Sequence, residues 1–231
     1  MIQVRKRTSL ERFSRDWLDA RHHMTVLDGG NSAHRPVGSL VAWNDEIMAA
    51  GNGFAPHRHA DMEIITYVRS GRIEHRNEFG DSGAIAAGHL RVMSAGTGIR
   101  HQELSSSEGP SQVFEIWIEP RRKGLSPCWT TKRFPGVGQT GDWVTLASGF
   151  GEDDVLPIFA DARVLGATLL AGQTLDLALE PGRKAYLVPT TGAVRVNDVL
   201  LEAGDGAAIE NETMLEFAAA QQAEILLVEL A

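Results

Sequence analysis

The residues best suited to chemistry are eight histidines, and two short clusters gather three of them with a carboxylate. The first cluster is Pro56-His57-Arg58-His59 and the second is His101-Gln102-Glu103. In an extended strand, residues two apart project from the same face, so each cluster can aim both of its side chains at one point. Three imidazoles and one carboxylate suit a divalent transition metal, and four protein ligands leave positions open on an ion that prefers five or six. Glu63 shares the parity of His57 and His59, so spacing alone leaves two candidates for the carboxylate. A lone histidine is most often an ordinary surface or core residue. Two same-face pairs, each beside Gly or Pro turn signals, make that reading a poor one here.

The elements that must position these clusters read as short strands. Residues 38–43 are β-branched and aromatic enough for a strand, with Asn44-Asp45 as its closing turn. Residues 63–76 read as a hairpin about Ser70-Gly71, which places His75 on the far strand as an exposed residue. Leu90-Arg91-Val92-Met93 leads into the turn Ala95-Gly96-Thr97-Gly98, and residues 113–118 alternate as a further strand. That glycine-rich turn is no phosphate loop, because it lacks the Lys-Ser/Thr ending and the following helix. His22 reads as structural or pocket-lining. A few helical turns are expected near residues 10–19 and 153–159. After residue 180 the rhythm of residues 56–89 returns at weak identity, but no histidine follows His101, so a second copy of the site is excluded.

Many short strands with Gly and Pro turns argue for an all-β fold of two β-barrels or jelly rolls. A chain of 231 residues with 43% hydrophobic content is long enough for both. Residues 1–135 hold 18 Lys or Arg against 15 Asp or Glu, whereas residues 136–231 hold 4 against 15. Two domains, 1–135 and 136–231, account for this asymmetry, with a break in the Gly-rich residues 134–139. The formal charge of -8 argues against direct nucleic-acid binding. No apolar run reaches membrane-spanning length, the N-terminus lacks a signal-peptide core, and the single Cys128 fits a reducing compartment, so a cytoplasmic location is expected.

At two places the residues resemble a known family. Gly51-x5-His57-x-His59-x3-Glu63-x7-Gly71 is similar to the first cupin motif, and Gly96-Thr97-Gly98-Ile99-Arg100-His101 to the second. More narrowly, HADMEIITYVRSGRIEHR from His59 and MSAGTGIRHQE from Met93 resemble the pirin family of bicupins. Ordinary cupins carry Pro two residues before the second-motif glycine, where this chain has Gly96. The run Met24-Thr25-Val26-Leu27 departs from the aromatic-rich one usual in pirins. The resemblance implies two packed cupin barrels, a metal-bearing N-terminal one and a degenerate C-terminal one without ligands. It also implies His57, His59, His101 and Glu103 as ligands, with Glu63 behind them orienting an imidazole.

Iron(II) is the expected ion, since nitrogen-rich sites with one carboxylate and vacant positions suit oxygen activation, and Cu, Ni, Mn, Co or Zn would also fit the donors. The activity implied is quercetin 2,3-dioxygenase-like: oxygenative cleavage of a flavonol with release of carbon monoxide, Glu103 serving as ligand and as base. The substrate partners are then a flavonol-like small molecule and O2. The alternative is a non-catalytic regulator that responds to the iron's oxidation state and acts through a protein partner.

Overall fold

The computed structural model describes residues 1–25, 34–136 and 139–231. Val26, Leu27, Val137 and Gly138, which figure in the expectations above, lie outside the described residues. Among the described residues there is no α-helix, and so no helix long and apolar enough to cross a membrane. Strands β1 (Ile2–Arg5), β2 (Glu11–Arg15), β3 (Leu18–His22), β4 (Leu40–Met48), β5 (Gly53–His59) and β6 (Glu63–Ser70) are followed by β7 (Arg72–Asn77), β8 (Ser82–Ala86), β9 (His89–Ser94), β10 (Ile99–Ser105), β11 (Ser111–Ile118) and β12 (Cys128–Arg133). The remainder are β13 (Val144–Ser148), β14 (Leu156–Pro157), β15 (Ala162–Leu169), β16 (Thr174–Ala178), β17 (Lys184–Thr191), β18 (Ala193–Val196), β19 (Val199–Glu202), β20 (Gly206–Ile209), β21 (Met214–Ala218) and β22 (Ala223–Leu230).

The strands form two compact units, each a pair of antiparallel sheets. One unit comprises Glu11–Arg133 with Leu156–Ala160, and the other comprises Met1–Leu10, Phe134–Val155 and Asp161–Ala231. In the first, a large sheet runs β12-β9-β6-β11-β4-β3-β2 and a small one β5-β10-β7-β8. In the second, the corresponding runs are β1-β20-β17-β22-β15-β13 and β16-β21-β18-β19. From β12 to β3 in the first and β1 to β13 in the second the two orders match, which makes the repeat after residue 180 a repeat of topology, with β17 in the place of β6 and β18 in that of β7.

A single cut at residue 135 does not describe these units. β1 pairs along its length with β20, Ile2 opposite Ile209 and Arg5 opposite Gly206, so the opening residues complete the edge of the second unit. Lys6 Nζ and the Arg7 amide both bond the Asp205 carboxylate, which fixes that edge. β12 plays the same part for the first unit, paired with β9.

Four local expectations are corrected. Residues 10–19 form the β2–β3 hairpin, Glu11 opposite His22 and Arg15 opposite Leu18, because Leu18 and Ala20 alternate into the interior as a strand and not at helical spacing. At 153–159 the one regular element is β14. The strand expected to end at Asn44-Asp45 runs on to Met48: both polar residues find partners, Asn44 with His22 and Asp45 with Arg69, so nothing forces a turn. Finally, β6 and β7 do not pair with one another. β6 lies between β11 and β9 and β7 between β10 and β8, so the turn at Gly71, with φ +77, carries the chain from one sheet to the other. Closing a barrel requires such corners.

The interior of the first unit is layered. One apolar cluster holds Leu18, Ala20, Met48, Val68, Ile73, Ile85 and Val113, and another holds Ile64, Met93, Ala95 and Ile99. Between them, one rung crosses five strands of the large sheet: His22 opposite Asn44, Asn44 opposite Glu115, Glu115 opposite Thr66, and Thr66 opposite Arg91. Every residue in that rung is polar. A polar layer inside an apolar barrel must be satisfied internally or by something bound there.

Candidate metal centre

The small sheet carries the histidines. In the β5–β10 ladder His101 stands directly opposite His57, and Ile99 opposite His59. The register shifts between His101 and Glu103, where β5 spends an extra residue beside Pro56, whose nitrogen has no proton to donate to the ladder. Just beyond, Gly53 lets the strands approach: a Cβ there would lie 2.1 Å from the Glu103 carbonyl oxygen. On its other edge β10 meets β7, with Glu103 opposite His75.

The rings of His57, His59 and His101 converge, with centroids 4.8 Å apart for His57–His59, 4.5 Å for His57–His101 and 5.2 Å for His59–His101. One nitrogen from each falls within 4.8 Å of the others. His57 Nδ1 donates to the Ala55 carbonyl at 2.8 Å, which leaves its Nε2 as the free lone pair. His59 Nε2 and both ring nitrogens of His101 are buried without a hydrogen-bond partner. Burial, together with the neighbouring His57 and Arg91 charges and against the pull of Glu103, lowers His59 to about 4. Burial lowers His101 to about 3, with Arg91, His57 and His59 adding to it and Glu103 opposing. Neutral imidazoles with orphaned lone pairs are what a divalent transition metal requires, so the residues fit such an ion.

Glu103 stands differently from the three histidines. It groups with His101 and His75, its Oε1 lying 3.7 Å from His101 Nδ1 and 3.9 Å from His75 Nδ1. The same oxygen is paired with Arg91, a fully buried guanidinium that also reaches Thr66 Oγ1 at 2.7 Å and His75 Nδ1 at 2.9 Å. Burial works to raise Glu103, but Arg91, the His75 hydrogen bond and the nearby rings together hold it well below the ordinary carboxylate range. Of the four residues expected as ligands, His57, His59 and His101 gather at one place, while Glu103 falls in a second group with His75 and His101 and is paired with Arg91.

His75, expected to be exposed, is fully buried, because it shares the inward face of β7 with Ile73. Arg91 was not anticipated at all. Glu63, expected behind the histidines, points the other way: Ile64 and Thr66 are the interior residues of β6, and Glu63 lies on the opposite face, taking the Ser94 hydroxyl at 2.6 Å. Asp61, at φ +48, turns the chain between β5 and β6, so the parity of one strand does not carry over to the next.

Beside the histidines opens a cavity of about 330 Å³, within the range of small-molecule sites. Phe13, Leu18, Ala20, Phe54 and Trp117 supply its apolar walls, and His22, Asn44, Glu46 and Glu115 its polar side. His22 is therefore pocket-lining, with its Nδ1 2.8 Å from Asn44 Oδ1. Trp117 stacks edge-on against His59 at 5.1 Å and donates to Glu115 Oε1 at 2.6 Å.

The Pirin family model matches residues 3–118, and the model described as the quercetinase C-terminal cupin domain matches residues 145–230. A pirin-like protein of Caulobacter vibrioides is 48% identical over 216 residues, covering 93% of each chain. Quercetin 2,3-dioxygenase of Escherichia coli K12 is 32% identical across 100% of this chain and 99% of its own. Among solved structures, the bacterial pirin YhhW of Escherichia coli in complex with nickel(II) aligns with a TM-score of 0.93 at 31% identity, over 100% of this chain and 99% of that one.

Proposed function

The chain belongs to the pirin family of bicupins, and from that premise we propose that it is a metal-dependent dioxygenase that opens flavonols such as quercetin with O2 and releases carbon monoxide. The observation that carries this reading is the juxtaposition of three converging imidazoles with a mostly apolar cavity. His57, His59, His101 and Glu103 are the proposed ligands of one ion per chain, since every histidine lies at or before His101. Iron(II) is the proposed ion; nickel(II) occupies the related YhhW structure by its description. When bound, the ion supplies a Lewis-acidic, redox-capable centre that favours a deprotonated enol oxygen.

The chain's own residues do the rest. Phe13, Phe54 and Trp117 offer flat apolar surfaces to a planar ring system and keep water from it. Glu103, next to His101, is the proposed acceptor of the enol proton. Arg91 holds that carboxylate in place through their ion pair. Dioxygen and the flavonol are the proposed partners, and the cytoplasm the proposed location.

Glu103→Gln tests the assignment. It keeps one oxygen donor and removes the base, so metal should be largely retained while turnover falls by about 10²-fold or more. Retention of full turnover would remove Glu103 from the role.

A further inference from the structure

The polar side of the cavity holds two carboxyl groups that the reaction above does not use. Glu46 on β4 stands opposite Val113 of β11, and Glu115 opposite Asn44, so the two glutamates are diagonal neighbours on one face. Both are buried, Glu46 at 3% exposure and Glu115 at 8%, and both line the cavity. Their partners are few. Glu115 Oε1 accepts from Trp117, whereas Glu46 has only a long 3.4 Å contact from Asn44, and its Oε2 has no hydrogen-bond partner. A buried, unsatisfied carboxyl is expensive, and such groups persist where a ligand completes them.

The surroundings favour the protonated form. Burial, then the charges of Glu115 and Glu103, raises Glu46 well above the usual carboxylate range. Burial and Glu103 raise Glu115 to about 7, against the Trp117 N–H and Arg91. Along the polar rung Glu115 has Asn44 and then His22 on one side and Thr66 and then Arg91 on the other, and Glu46 stands two residues along β4 from Asn44, between Ala20 and Val113. A protonated carboxyl donates as well as accepts, which matches a phenolic hydroxyl and not a hydrocarbon edge.

We propose that Glu46 and Glu115 are the ligand-selecting residues of this cavity, receiving a phenolic hydroxyl of an aromatic enol whose enolate end reaches the histidines. This rests on the enolate reading above, and it adds that the enol alone is not the preferred ligand. Aromatic walls hold the ring, the histidine end takes the enolate, and the carboxyl pair reads the hydroxyls carried elsewhere on the ligand.

The test is anaerobic binding to the nickel(II)-loaded full chain, read from the shift in flavonol absorbance. Quercetin, which carries phenolic hydroxyls on its outer rings, is compared with 3-hydroxyflavone, which has the enol and no other hydroxyl. The wild type should bind quercetin about 10-fold more tightly, the worth of one good hydrogen bond to such a group. Glu46→Met should lose that preference without weakening 3-hydroxyflavone, and Glu46→Gln, which keeps a donor and an acceptor, should retain it. The melting temperature of Glu46→Met should be unchanged or higher, because a poorly satisfied carboxyl has been removed. Equal binding of the two ligands by the wild type overturns the inference while leaving the enolate reading standing, and does so without any variant. Equal weakening of both ligands in Glu46→Met also overturns it. If the wild type binds neither flavonol, the enolate reading fails and takes this inference with it.

Discussion

Replacing Arg91 by Met should have a large effect on the metal-free protein, and one that a divalent ion partly reverses. Arg91 is fully buried and is the cation nearest Glu103, and its other donors hold Thr66 and His75. Met fills similar space but leaves the Glu103 carboxylate buried and without its cation. Breaking a buried pair in this way costs about 3–5 kcal/mol, and each lost hydrogen bond adds about 0.5–1.5 kcal/mol. Protonation of Glu103 limits the loss, so the penalty should shrink as pH falls from 8 to 5. With a urea slope of about 1–3 kcal/mol per molar, the unfolding midpoint should drop by about 1 M or more at pH 8. A divalent ion should then raise the midpoint further in the variant than in the wild type, because it replaces the missing positive charge. The double variant Arg91→Met, Glu103→Met should regain most of the loss. A drop of less than about 1 kcal/mol at pH 8, or the same drop at pH 5 and 8, would refute the view that Arg91 serves chiefly to hold the Glu103 charge.

Two further outcomes follow from the same geometry. His59 and His101 are held at about 4 and about 3, below the ordinary 6.5, so both are already neutral at pH 5.5. Zinc binding at that pH should therefore displace no more than about one proton from the three histidines, measured by calorimetry in buffers of different ionisation enthalpy, and displacement near three would contradict the burial reading. Gly53→Ala should cost on the order of 1–3 kcal/mol and weaken metal binding, because the new Cβ meets the Glu103 carbonyl and the Leu104 Cα, both backbone atoms that cannot swing aside. An unchanged melting temperature would show that the two strands can part without consequence.

The parts of the site legible in the sequence are those that depend on neighbours in the chain. His57 with His59 and His101 with Glu103 follow from the two-residue period of single strands, and the ladder sets His101 opposite His57. His75 was within reach: in Arg72-Ile73-Glu74-His75-Arg76 the alternation that buries Ile73 also buries His75. Arg91 was not, because His89–Ser94 is buried at nearly every position and alternation gives no sign of which face is the interior. Glu46 and Glu115 escaped for a related reason. Their meaning lies in a sheet face assembled from strands far apart in sequence, and Asn44-Asp45 imitates a turn until its partners on β3 and β6 are in place. The barrel class was readable from turns and alternation, but the corner at Gly71 and the exchange of β1 into the second unit depend on which edges were left to pair.

The central claim is that the histidine cluster turns over a flavonol with oxygen, and the direct measurement follows oxygen uptake, carbon monoxide release and loss of quercetin absorbance together in the iron(II)-loaded protein. The account predicts all three in equal proportion, with one ion per chain, and their disappearance along with tight metal binding in His101→Ala. Absence of oxygen-dependent turnover with any flavonol in the fully loaded wild type would contradict it, and would favour the reading of a redox-responsive regulator acting through a protein partner.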